Sequence, residues 1–128
     1  MIEFIERYFT HSDDRGTLEG LVNFGTWKEI NMIDSDAGIE RGNHYHKETG
    51  ELFIVLDGEI LVTVQKIENG ELIGDIEKVK VKKGDVFLIK PMLNHIFYIL
   101  KKSRWINVLS KPIDDDDKDI HRVKNNTL

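Results

Sequence analysis

The chain has 128 residues, 40% hydrophobic and 32% charged, which suits one soluble globular domain able to bury roughly two-thirds of its unfolded surface. A net charge of −5 offers no overall basic field, so nucleic acid and anionic membrane are not expected partners. With no cysteine, disulfides and thiolate metal sites are excluded, and a reducing compartment fits.

Residues 1–9 alternate apolar and charged side chains and predict an opening strand or short helix. The acids Glu3 and Glu6 stand where a signal peptide needs a basic start, and no apolar run reaches the length of a membrane span. The expectation is a cytoplasmic protein with no membrane partner. His11-Ser12-Asp13-Asp14-Arg15-Gly16 reads as a turn cluster, followed by strands over 18–24 and 27–33. A loop over 34–38 leads to Arg41-Gly42-Asn43-His44-Tyr45-His46-Lys47. The apolar run 52–56 predicts a strand buried on both faces. Asp57-Gly58 predicts a hairpin with a return strand over 60–64, and Asn69-Gly70 a second hairpin tip. Residues 79–82 alternate as a half-exposed strand does. Residues 86–89 form a strand stopped by Pro91, and 95–100 and 104–109 are two more strands around a basic turn. No amphipathic helix is legible before residue 110, so the fold class is all-β, a sandwich or barrel. The domain spans 1–110. Residues 111–128 form an acidic tail or closing segment, in which Asp114-Asp115-Asp116-Asp117 reads as a solvated run.

On a strand, residues two apart share a face. His44 and His46 therefore project together while Tyr45 turns away to pack. Glu51 follows after the short turn at Gly50 and can join them. Imidazole and carboxylate ligands of this kind suit a divalent transition metal. His95, after the proline turn, opens an apolar strand and is a candidate partner. His11 and His121 read as surface residues.

The spacing resembles a known pattern. Five residues separate Gly38 from His44, four separate His46 from Glu51, and six separate Glu51 from Gly58. This is the first motif of the cupin superfamily. Gly84, Pro91 and His95 resemble the second, with one extra residue before the proline and Ile99 where asparagine is usual. The resemblance implies a single-domain cupin jelly-roll β-barrel holding a divalent metal (Zn, Mn, Fe or Ni among the candidates) on His44, His46, Glu51 and His95.

Asp13-Asp14-Arg15-Gly16 and the Arg41-Gly42-Asn43-His44-Tyr45-His46-Lys47 run narrow the likeness. They resemble cupins that act on nucleotide-linked sugars: dTDP-4-oxo-6-deoxyglucose 3,4-oxoisomerases, dTDP-4-dehydrorhamnose 3,5-epimerases and the cupin domains of capsule-sugar reductases. That implies an isomerase or epimerase of surface-polysaccharide biosynthesis. His44 would be the base beside the sugar ketone, His46 its acid/base partner, and Arg41 and Arg15 the substrate-binding residues. The alternative is a metal-binding cupin of another class, a dioxygenase or a non-catalytic sugar-binding domain. A homodimer paired through strand edges is expected. One conflict stands in the sequence: His44 cannot ligate a metal and act as a free base with the same atoms.

Overall fold

The computed structural model describes residues 1–124, so residues 125–128 of the expected tail lie outside the described residues. The all-β expectation holds, and no helix occurs among the described residues. The strands are β1 (Glu3–Phe4), β2 (Phe9–Asp13), β3 (Gly16–Gly20), β4 (Glu29–Ser35), β5 (Glu40–His44), β6 (Glu51–Glu68), β7 (Glu71–Lys82), β8 (Val86–Ile89) and β9 (Leu93–Leu109). Seven form one sheet in the order β1-β8-β6-β9-β4, with β5 also on β9 and β7 also on β6. β2 and β3 form a separate hairpin. The hydrogen-bonded order does not run round into a closed ring.

The sheet is built on two long strands. β6 and β9 pair antiparallel from Glu51↔Leu109 to Lys66↔Leu93. This corrects the sequence reading at two places. Asp57-Gly58 is not a hairpin tip, and residues 95–100 and 104–109 are not separate strands. Both long strands instead bend together, and their register shifts between Val55 and Ile60. Gly58 makes the bend possible. Its φ is +99°, and a Cβ there would lie 2.1 Å from Ser103 Oγ and 2.5 Å from the Lys102 carbonyl oxygen. A left-handed backbone and a close approach both call for glycine. Gly58→Ala is therefore expected to cost about 2–3 kcal/mol, read as a lowered urea midpoint. An unchanged midpoint would show that the corner relaxes freely.

The Asn69-Gly70 expectation is met. Both residues have positive φ, 54° and 78°, as a tight two-residue hairpin between β6 and β7 requires. The other hairpin begins earlier than expected: β2 and β3 pair from Phe9↔Gly20 to Asp13↔Gly16, so much of the supposed turn cluster is strand.

Residues 52–55 are covered on both faces, as the apolar run implied, but Leu56 at its end is exposed. On one side Phe53 stacks among Phe87, Phe97 and Trp105, with ring centroids 5.0–5.4 Å away. On the other, Leu52 packs with Val86 and Val108 beneath Leu21, Val22 and Trp27. The aromatic cluster forms a rigid floor, and the histidines stand at one end of it: His95 and Phe97 rings lie 5.4 Å apart.

Candidate functional site

β5 delivers His44 opposite His95 on β9, and the strand pairing sets the two residues face to face. β5 ends at His44, but the alternation continues one step further. Tyr45 turns into a buried cluster with Ile67 and Val123, and His46 returns to the side of His44. Glu51 opens β6. The structure therefore brings these four residues together although His46 lies beyond the strand. Ring centroids are 4.7 Å apart for His44–His95, 5.0 Å for His44–His46 and 5.3 Å for His46–His95. One ligand atom from each of His44, His46, Glu51 and His95 lies within 4.8 Å of all the others.

The site is buried at its base. His95 is 1% exposed and Glu51 6% exposed. Glu51 Oε1 lies against His46 Nε2 and 3.2 Å from His95 Nε2. Its other oxygen accepts a hydrogen bond from Asn107 Nδ2 at 2.7 Å. The far nitrogens of both rings face main-chain carbonyls: His95 Nδ1 is 3.1 Å from Leu93 O, and His46 Nδ1 contacts Asp119 O. A carbonyl oxygen only accepts, so each Nδ1 carries the proton. In the neutral rings both Nε2 lone pairs then point at a carboxylate oxygen. Three electron-rich atoms face one another, sealed from water and without a hydrogen-bond partner of acceptable geometry. Buried atoms of this kind call for a shared cation, either a proton on His46 Nε2 or a metal ion.

The electrostatics follow from this crowding. Burial, then the neighbouring His95 and His46, push His44 down to about 4, so its ring is neutral at pH 7. Burial pulls His46 down too, but the Glu51 carboxylate and the Asp119 carbonyl outweigh it and hold His46 above its ordinary value. Burial likewise pushes Glu51 up, yet the flanking His46 and His95 hold it well below the usual carboxylate range.

Above the cluster opens a cavity of about 420 Å³. Arg41 and His44 line it, as do Phe53, Phe97 and Trp105 from the floor. Arg15 is not brought into it. That side chain is exposed on the β2–β3 hairpin, where Asp13 holds it through Nε at 3.2 Å and through Nη2. The hairpin pairs only with itself, so nothing within the described residues carries Arg15 inward.

The sequence reading missed the far wall. Lys111, Pro112, Ile113, Lys118, Asp119 and Ile120 all line the cavity. Asp114–Asp117 is exposed, as its composition implied, but the chain then turns back onto the sheet. Tyr45 and His121 exchange main-chain hydrogen bonds of 2.9 and 3.0 Å. His121 is half-buried against the Tyr45 ring rather than simply on the surface. No local spacing marks this return, because the contacts of Asp119 with residues 47–49 join positions some 70 apart.

The sequence profile of the polysaccharide biosynthesis C-terminal domain matches residues 11–110. The chain belongs to that family. No curated protein matches the sequence. Several solved structures share the fold of this polysaccharide biosynthesis C-terminal domain. The sugar 3,4-ketoisomerase QdtA from Thermoanaerobacterium thermosaccharolyticum, in complex with TDP, superposes with a TM-score of 0.73 at 18% identity, covering 97% of this chain and 89% of that one. The dTDP-4-dehydrorhamnose 3,5-epimerase from Sulfolobus tokodaii gives 0.72 at 21% identity, covering 91% and 79%. The capsular polysaccharide assembling protein CapF from Staphylococcus aureus gives 0.68 at 21% identity, covering 90% of this chain but only 31% of that protein. The expected likeness to cupin-type nucleotide-sugar enzymes is thus met at the level of fold.

Proposed function

We propose that the protein is an isomerase or epimerase that moves a proton next to the ketone of a nucleotide-linked 4-keto-6-deoxy sugar, in the assembly of a surface polysaccharide. The observation that carries this reading is the cluster of His44, His46, Glu51 and His95 at the base of a cavity of about 420 Å³ that Arg41 also lines. Arg41 offers the planar fork that suits diphosphate oxygens. Two of the neighbours support the substrate class. QdtA holds TDP, and a histidine-to-asparagine mutant of QdtA holds TDP-4-keto-6-deoxyglucose. The jelly-roll β-barrel of the cupins belongs to the same reading. So do a cytoplasmic setting, fitting a cysteine-free chain, and a homodimer formed where β4 and the β2–β3 hairpin leave strand edges unpaired among the described residues.

The sealed atoms favour a division of labour between His44 and its neighbours. His46 Nε2, Glu51 Oε1 and His95 Nε2 are buried and unpartnered, and His44 adds no such sealed atom. The expected metal quartet narrows to His46, Glu51 and His95 as the holding set for a divalent transition metal, with His44 beside it. Two imidazoles and one carboxylate suit such an ion and leave coordination positions open. A bound ion supplies Lewis-acid polarisation of the ketone oxygen. His44, neutral and half-buried on the cavity side, takes the proton from the adjacent carbon and returns it. The aromatic floor excludes water from one side of the sugar.

Incubation with TDP-4-keto-6-deoxyglucose in D₂O is expected to place deuterium on the ring carbon beside the ketone, followed by NMR. No incorporation with this or another nucleotide-linked keto sugar would sink the isomerase reading. Stoichiometric metal with no exchange would favour the non-catalytic or dioxygenase alternative.

A further inference from the structure

The strongest unassigned feature is the way the returning C-terminal segment grips the turn after His46. Asp119 is its centre. Asp119 Oδ2 accepts hydrogen bonds from the amides of Glu48 and Thr49, each at 2.8 Å, and from Thr49 Oγ1 at 2.9 Å. Asp119 Oδ1 accepts from the Lys47 amide at 2.8 Å and lies 2.9 Å from His121 Nε2. The carbonyl of the same residue accepts from His46 Nδ1. One residue therefore fixes the backbone of three consecutive positions after His46 and the ring of His46 itself.

The grip is anchored further along the chain. Beyond Asp119, His121 exchanges main-chain bonds with Tyr45, and Arg122 Nη1 donates to Asn43 O at 3.0 Å. The Lys124 amide reaches Gly70 O at 3.1 Å, with Val123 buried between Tyr45 and Ile67. The segment runs alongside the histidine strand and cannot slide without breaking several bonds together.

We infer that Asp119 is a positioning residue for His46. Its carboxylate freezes residues 47–49, and its carbonyl sets the ring so that Nδ1 carries the proton and Nε2 presents its lone pair to Glu51 and His95. Outer partners of this kind fix the tautomer and orientation of a ligating histidine. The chemical consequence rests on the metal reading of the site, whereas the ring tautomer does not. Asp119 lies outside residues 11–110, so the role belongs to the C-terminal segment beyond the family domain.

The test compares the wild-type protein with Asp119→Ala and Asp119→Asn. Histidine-ring ¹⁵N shifts are recorded on metal-free protein at alkaline pH, and Co²⁺ uptake is followed by its visible absorption. In wild-type protein His46 is expected to hold its proton on Nδ1. In Asp119→Ala the main-chain carbonyl remains but loses the carboxylate bonds that hold it against His46, so the His46 shifts move toward an average of both tautomers and Co²⁺ binds about 10–100-fold more weakly. Asp119→Asn, which keeps only one carbonyl-type acceptor, falls between. A folded Asp119→Ala protein with wild-type His46 shifts overturns the inference, as does a wild-type His46 protonated on Nε2. Should Asp119→Ala fail to fold, the Asp119→Asn shifts decide by the same criterion. If wild-type protein takes up no Co²⁺, the metal reading fails and the ring shifts still judge Asp119.

Discussion

His44→Asn is expected to lower the rate of deuterium exchange beside the sugar ketone by about 10²–10⁴-fold, the usual worth of a positioned acid–base group. The substitution should leave the fold and the metal set in place. His44 is half-buried at the end of β5, and its removal opens space toward the cavity rather than within the core. Within the cluster the buried, unpartnered atoms belong to His46, Glu51 and His95, so Co²⁺ affinity should fall by less than about 10-fold, below the range for disturbing a ligand's own support. Exchange is measured by NMR in D₂O and affinity by cobalt titration of the same preparation. Unchanged exchange would remove His44 from the proton path. A collapse of cobalt affinity would instead make His44 a ligand and return the site to the four-residue set implied by the cupin resemblance.

What the sequence makes legible here is what lies close together along it. His44, His46 and Glu51 sit within eight residues, and strand alternation is enough to set two rings on one side and Tyr45 on the other. His95 is readable because a turn around Pro91 positions a strand opening, and the register then puts it opposite His44. Gly58 shows where local reading stops. Asp-Gly carries the backbone freedom of a hairpin, yet the same positive φ serves a shared corner when a second strand bends at the same level. Only the distant Ser103 and Lys102 distinguish the two outcomes. Arg15 enters by resemblance alone, and in this chain it pairs with Asp13 on an exposed hairpin. The C-terminal return is hidden for the same reason as the corner. An acidic run looks solvated, and Asp114–Asp117 is; the residue that matters, Asp119, is recognisable only once residues 47–49 lie against it.

Glu51→Ala is expected to remove metal binding, lowering Co²⁺ affinity by about 100-fold or more, beyond what loss of an outer partner costs. Glu51 supplies the one carboxylate among the clustered groups, and it stands between two Nε2 atoms whose orientation the main chain fixes. Alanine takes away the anion that makes a cation welcome there. It also strips Asn107 Nδ2 of its acceptor, at a depth where Asn107 is 7% exposed and its Oδ1 is tied up with Asn31 at 3.2 Å. An orphaned buried donor costs about 1–3 kcal/mol, so the metal-free variant should unfold several degrees lower. Glu51→Gln separates the two effects. Its amide carbonyl can still accept from Asn107, so stability should recover in large part, while the missing charge keeps metal affinity low. Cobalt absorption titration and thermal unfolding, run on both variants, read the two quantities independently. Wild-type cobalt affinity in Glu51→Ala would defeat the assignment of Glu51 to the holding set. Equal affinity in Glu51→Gln and wild type would show that shape, not charge, is what the buried carboxylate contributes.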